Sequence, residues 1–239
     1  MEKFKTNHEL VKMLDSYSQE ELNDYLYSHQ VSEDIIRRYA DKVDWNRVCY
    51  SQRLSEEFIR EFKDKVVWDE ITFNQELSED FIYEFQDELN WHMISCNKIL
   101  SEDFIRKFAD KVNWGWISQG QRLSEPFIRD FQGKVNWYWI SRRQRLSESF
   151  IREFKDMVDW VCVSGCQALS EDFIREFHDR VDWYWISRRQ RLSEDFIREF
   201  RDKVDWEGIV EMQNITKSFI EDVIVDELDK KMILAHDNF

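Results

Sequence analysis

Residues 169–191 read LSEDFIREFHDRVDWYWISRRQR, and residues 123–145 read LSEPFIRDFQGKVNWYWISRRQR, ending on the same nine letters. Between them, residues 146–168 read LSESFIREFKDMVDWVCVSGCQA, a looser version of the same text. The step is 23 residues, and one residue type keeps it without interruption: Trp45, Trp68, Trp91, Trp114, Trp137, Trp160, Trp183 and Trp206. Eight copies begin at Val31, Leu54, Leu77, Leu100, Leu123, Leu146, Leu169 and Leu192. A fixed period in the twenties marks a solenoid-type array, in which each unit buries its apolar face only against its neighbours. The expected organisation is a helical cap at 1–30, eight repeats at 31–214 forming one quasi-linear domain without internal boundary, and a helical cap at 215–239.

Each unit carries two helix starts. In LSEDFI the Ser stands where an N-cap belongs, and the Leu before it can staple onto the Ile five residues later. The acids that follow favour the positive end of the new helix. In VDWxxI the same logic returns, with Asp or Asn as the cap. The fold predicted is therefore all-α, a short-repeat α-solenoid of two-helix units: a long helix A of about three turns and a short helix B, α or partly 3₁₀, of about two turns. Five glycines and one proline in 239 residues leave little room for long loops. Pro126 falls in the first turn of a helix A, where its missing N–H does little harm.

Helical phase, at about 100° per residue, assigns the faces. On helix A of the second copy Phe58, Ile59, Phe62 and Val66 share one arc, opposite Glu56, Glu57, Arg60, Glu61 and Asp64. Arg60–Asp64 is four apart, as are Arg106–Asp110, Arg152–Asp156, Arg175–Asp179 and Arg198–Asp202, and these read as surface pairs on a solvated face. On helix B, Trp137, Ile140, Ser141 and Gln144 share an arc, and these types recur in most copies, which marks the buried seam. The recurrent Gln (Gln52, Gln75, Gln121, Gln144, Gln167, Gln190, Gln213) predicts a ladder of amides bonding to backbone groups of adjacent loops.

The spelling L-S-x-x-F-I-x-x-F followed by D-W-x-x-I-S-x-x-Q resembles the leucine-rich repeat variant family, whose α and 3₁₀ helices stack into a right-handed superhelix. The likeness covers 31–214 and is architectural: that family's unit is slightly longer, with small and Asn-Pro residues where this chain has Phe and Gln. Its iron–sulfur companion module has no counterpart, since Cys49, Cys96, Cys162 and Cys166 form no cluster. By spelling the chain is also similar to uncharacterised 23-residue tandem-repeat proteins of large DNA viruses, a resemblance that implies no activity.

A net charge of −15 opposes nucleic acid and anionic membrane at long range. No apolar run reaches the ~18 residues of a membrane span, and the N-terminus has no signal-peptide core. The cysteine spacing suits reduced thiols in a cytoplasmic protein, in the host cytoplasm if the source is viral. The five histidines are scattered, and no phosphate loop or hydrolase motif occurs, so a non-enzyme without cofactor or metal is expected.

Function is read from variation among the copies. The first, second, fifth and sixth positions after each helix-B Trp change freely, and fall on the side opposite the seam. In the opening stretches they are Tyr138, Trp139, Arg142 and Arg143, and their twins Tyr184, Trp185, Arg188 and Arg189; Trp116 holds the second position in the fourth copy. Trp, Tyr and Arg dominate interaction hot spots, so these nine residues are the candidate binding site for another protein or a peptide. The same residues would suit a nucleotide or nucleic acid through stacking and charge. Alternatively, Trp139 and Trp185 pack on a neighbouring helix and the arginines only favour a helix C-terminus, as in a purely structural assembly component. Oligomeric state is not readable from the repeat.

Overall fold

A computed structural model describes residues 7–223, leaving 1–6 and 224–239, including most of the expected C-terminal cap, outside the described residues. Among the described residues there are 19 helices and no strand, in a regular tandem alternation. The fold is the expected all-α solenoid type. The chain divides into two compact units, 1–113 and 114–239. The division falls between a cap residue, Asn113, and Trp114, in mid-repeat and without a linker sequence. Where a single array without boundary was expected, each unit is a stack of the same two-helix repeat. Within each unit successive B helices lie side by side, and in the first unit the helix Gln19–Ser28 takes the place of a B helix in that row.

Helix A begins as expected. Ser55 has extended backbone and its side chain accepts the N–H of Phe58; the cap recurs at Ser78, Ser101, Ser124, Ser147, Ser170 and Ser193. Leu54 and Ile59 are both buried in one apolar cluster. Its length corrects the expectation. Helix A spans only six residues, Glu56–Glu61, and helix B seven, Trp68–Asn74, so A is not the long element and B is α-helical rather than 3₁₀. Phe62 leaves helical geometry at φ −111°, ψ 27°, and a separate turn closes from Val66 N–H to the Phe62 carbonyl at 3.0 Å. That turn keeps Val66 on the buried side, so the apolar spacing looks continuous although the helix has ended.

Helix B is capped by Asp44, Asn90, Asn136, Asp159, Asp182 and Asp205. Val67 takes that place in the second copy, with no side-chain cap.

Within each unit three ladders run between repeats, the amide one interrupted at Lys98. Gln75 Nε2 donates to the carbonyls of Cys49 (3.0 Å) and Gln52 (2.8 Å), and its Oε1 accepts Leu54 N–H at 2.9 Å. Gln144, Gln167, Gln190 and Gln213 repeat this triple contact, the amide ladder expected. In a second ladder, Ser164 Oγ donates to the Trp160 carbonyl (2.7 Å) and accepts Asp182 N–H from the next repeat (2.9 Å). The third was not anticipated: the first Glu of helix A accepts the backbone N–H of the next repeat's cap serine. Glu56 does so for Ser78 and Glu148 for Ser170, each at 2.6 Å. A capping box is normally closed within one helix; here it is closed between repeats. Buried polar groups carrying no partner would each cost about 1–3 kcal/mol, so these ladders fix the stacking register.

Aromatic rings complete the joint. Trp137 bonds its indole N–H to the Gln132 carbonyl at 3.0 Å and packs its ring on Phe150 and Phe154 of the next repeat, with centroids at 6.3 and 5.0 Å. The helix-A charges also bridge repeats. Arg60, expected to pair with Asp64, binds Glu84 of the following copy at 2.7 Å and lies over the Phe81 ring at 5.0 Å. Arg152 and Arg175 likewise reach Glu176 and Glu199 rather than Asp156 and Asp179. Asp156 instead meets Arg180 at 2.7 Å. The aspartates lie past the true end of helix A, so four-residue spacing no longer places them over the arginines.

Candidate functional site

The candidate residues all lie on B helices of the unit formed by 114–239: Trp116 on Trp114–Gly120, the first set on Trp137–Arg143, its twin on Trp183–Arg189. Both identical stretches use the same frame. Ile140 and Ile186 are fully buried, Ser141 and Ser187 work in the serine ladder, and Gln144 and Gln190 in the amide ladder.

The four variable positions do not behave alike. Tyr138 and Tyr184, in the first, are 42% and 50% exposed, and Arg143 and Arg189, in the sixth, are exposed. In two joints a fifth-position residue lies against the second-position residue of the next copy. A Cβ placed on Gly165 would sit 3.2 Å from the Trp185 ring, so this fifth-position glycine lies against the second-position Trp of the next copy. A Cβ on Gly208 would meet Arg188 Cγ at 2.6 Å, the same pairing one repeat later with the large residue on the other side. Trp139 and Trp185 are half-buried, and Trp116 is 36% exposed. Variation at these two positions is thus partly complementary packing between copies.

Local geometry holds the aromatic–cation pairs four apart on each helix. Arg143 lies over Trp139 at 5.9 Å and Arg189 over Trp185 at 5.8 Å. Arg142 donates to Tyr138 Oη at 2.9 Å and is exposed. Arg188 differs. Its side chain is 11% exposed, lies over Tyr184 at 4.0 Å, and is paired with Asp205 and with Glu207, the latter at 2.9 Å.

Of the thiols, burial pushes Cys162 up to about 12, helped by the Asp159 carboxylate, and Cys49 up to about 11. Both side chains are buried and stay protonated near neutral pH, while Cys166 is exposed. It lines an open cavity of about 590 Å³ with Gly165, Ala168, Ser170, Arg189 and Arg191. Among the described residues no group of three His, Cys, Asp or Glu could hold a metal ion, and no helix is long and apolar enough to cross a membrane.

The unit formed by 1–113 has its own exposed aromatics, outside the repeated nine-residue stretch. Tyr27 and Tyr50 stack at 5.9 Å, each about half exposed, beside Arg47 and Glu70 in a smaller cavity of about 270 Å³. Phe73, at the same fifth position as Tyr50, is 56% exposed. The signal was present in the sequence: both occupy a variable position already marked, but neither has an adjacent arginine pair to draw notice.

The fold and the ladders define a helical tandem-repeat protein. Comparison with family models, curated proteins and solved structures gives no match for this chain.

Proposed function

We propose that this protein is a non-enzymatic repeat scaffold that binds another protein or a peptide through the variable face of its B helices. One observation carries the reading: the bonds joining repeats use a few recurring residue types, while exposed aromatics gather at the variable positions. Tyr138 and Tyr184 in one unit, and Tyr50 and Phe73 in the other, expose large rings that the frame does not use. Rigid aromatics beside arginines are the side chains from which hot spots are built. A nucleotide or nucleic acid is the second reading. It is favoured by the Arg142–Tyr138 and Arg143–Trp139 pairs and opposed by the −15 net charge. A reducing, cytoplasmic setting fits the four free thiols.

A photo-crosslinking residue at Tyr138 or Tyr184 tests the reading in cell extract, with Glu57 on helix A as the comparison site. The expected result is one protein captured reproducibly from 138 and 184 and not from 57, which then binds in purified form. Capture from 57 alone, or from no position, removes the proposal.

A further inference from the structure

Arginines in the unit formed by 114–239 fall into two populations. Three on helix A are held by carboxylates: Arg129 by Glu153, Arg152 by Glu176 and Arg175 by Glu199, at 2.7–2.8 Å. Those at the ends of two B helices are not. Arg143, Arg145, Arg189 and Arg191 are all exposed, and among the described residues none has a carboxylate within ion-pair distance. In a chain with 49 acidic residues against 34 basic ones, two pairs of exposed arginines on B helices of one stack form a local basic patch. The helix dipole favours Arg143 and Arg189 in the last turn. Arg145 and Arg191 lie beyond the helix ends, at a position that Arg53 and Arg122 fill in other copies; only these two copies join it to an arginine two residues earlier.

Sequence and cavity agree on what lies between the two pairs. The helix-B ends read RRQR at 142–145, GCQA at 165–168 and RRQR at 188–191. The middle copy keeps the ladder Gln167 and replaces every flanking arginine by a small residue. The result is the 590 Å³ cavity, lined by Gly165, Cys166 and Ala168 with Arg189 and Arg191 at its side. Its volume falls within the about 300–1,000 Å³ of ligand-binding clefts, and it is open to solvent. The B helices lie in the order 137–143, 160–166, 183–189. Packed helices are about 8–10 Å apart, so the two arginine pairs are separated by roughly 20 Å. An extended peptide rises about 3.3 Å per residue, so about six residues span them.

We infer that Arg143 and Arg145 on one side, and Arg189 and Arg191 on the other, bind a short acidic peptide segment. The segment runs across the intervening helix and sets an uncharged side chain into the cavity beside Cys166. The inference rests on the scaffold reading above and names the chemistry of its partner. Guanidinium groups bind carboxylates in bidentate fashion, and the contact acts at short range. A polynucleotide would bring a dense line of charge into the field of the whole −15 molecule. A few carboxylates on a peptide meet that repulsion more weakly.

The test uses the full chain with a displayed random octapeptide library and with labelled probes in fluorescence anisotropy: EEDLLDEE, its neutral analogue QQNLLNQQ and an eight-nucleotide single-stranded DNA. Acidic peptides should be enriched, and EEDLLDEE should bind at least tenfold more tightly than either other probe, less so as salt is raised. Arg143→Gln with Arg145→Gln, or Arg189→Gln with Arg191→Gln, should each weaken it tenfold or more with the helical circular dichroism intact. Arg53→Gln, in the other unit, should change nothing. Bound peptide should slow alkylation of Cys166, and Ala168→Phe, which fills the cavity while keeping all four arginines, should weaken binding.

Tighter binding of the DNA overturns the inference in favour of a nucleic acid. Absence of acidic enrichment together with no binding of EEDLLDEE overturns it outright. Neutral peptides that depend on Tyr138 and Tyr184 but not on the arginines would overturn it while leaving the scaffold reading in place.

Discussion

The two stretches WYWISRRQR, at 137–145 and 183–191, are the same nine residues in two different settings. In the first, Arg142 is exposed and donates to the Tyr138 hydroxyl at 2.9 Å. In the second, Arg188 is nearly buried between Asp205, Glu207 and Gly208. The difference lies in the copy that follows. After the first stretch the facing positions are Val161 and Cys162; after the second they are Glu207 and Gly208. A residue of this protein therefore takes its role from the repeat behind it as much as from its own, and identical text does not make identical sites.

The strongest way to break that comparison is at the shared cap. Asp159 and Asp205 occupy the same position and each caps its helix, but only Asp205 also faces a nearly buried arginine. Asp205→Ala should cost about 3 kcal/mol, since it leaves a buried charge short of a partner. Asp159→Ala should cost about 1 kcal/mol, the ordinary loss of a cap. Equal urea midpoint shifts for the two would show that the pairing around Arg188 contributes nothing. The glycines give a smaller contrast. Gly208→Ala should lose about 1 kcal/mol by pressing on Arg188. Gly120→Ala has open space around its Cβ and should gain about 0.5 kcal/mol.

A converse comparison holds the surroundings and changes the residue. Lys98 stands where other copies have the ladder Gln; its ammonium reaches the Gln75 carbonyl but has no acceptor to offer Leu77 N–H. Burial pulls its pKa down, a sign that the charge is out of place. Lys98→Gln should raise stability by about 1 kcal/mol, read as an upward shift in melting temperature. The smallest effect is chemical rather than energetic. At pH 8 a thiol reagent should modify Cys166 rapidly, while Cys162, with its pKa raised to about 12, stays neutral and unreactive until the fold opens. Equal rates at the two would place Cys162 outside the core.

Much of the frame was legible because it repeats. The 23-residue step, the serine caps, the seam of Trp, Ile, Ser and Gln, and the amide ladder all follow from periodic residue types with a local physical role. What was not legible depends on the distance between copies. Helix A stops at Phe62 without a glycine or proline, because the turn after it returns Val66 to the core at helical spacing. The bond from Glu56 to the next cap serine joins residues 22 apart, outside any local pattern. The same holds for Arg60, whose partner lies 24 residues on rather than four. The packing of Trp185 on Gly165 leaves a trace in the sequence: in this joint and in that of Arg188 with Gly208, a large residue stands 20 positions from a glycine.

The cross-repeat capping has a consequence for how such a chain can change over generations. Because Glu56 finishes the helix of the next copy, and Gln75 finishes the loop of the one before, the joint contains only residue types that most copies share. Deleting or duplicating a 23-residue block would leave most joints chemically intact, so the number of copies is free to drift. What such an event would scramble is the matching of glycine to tryptophan and glycine to arginine on the B helices. Those matches tie particular copies to particular neighbours.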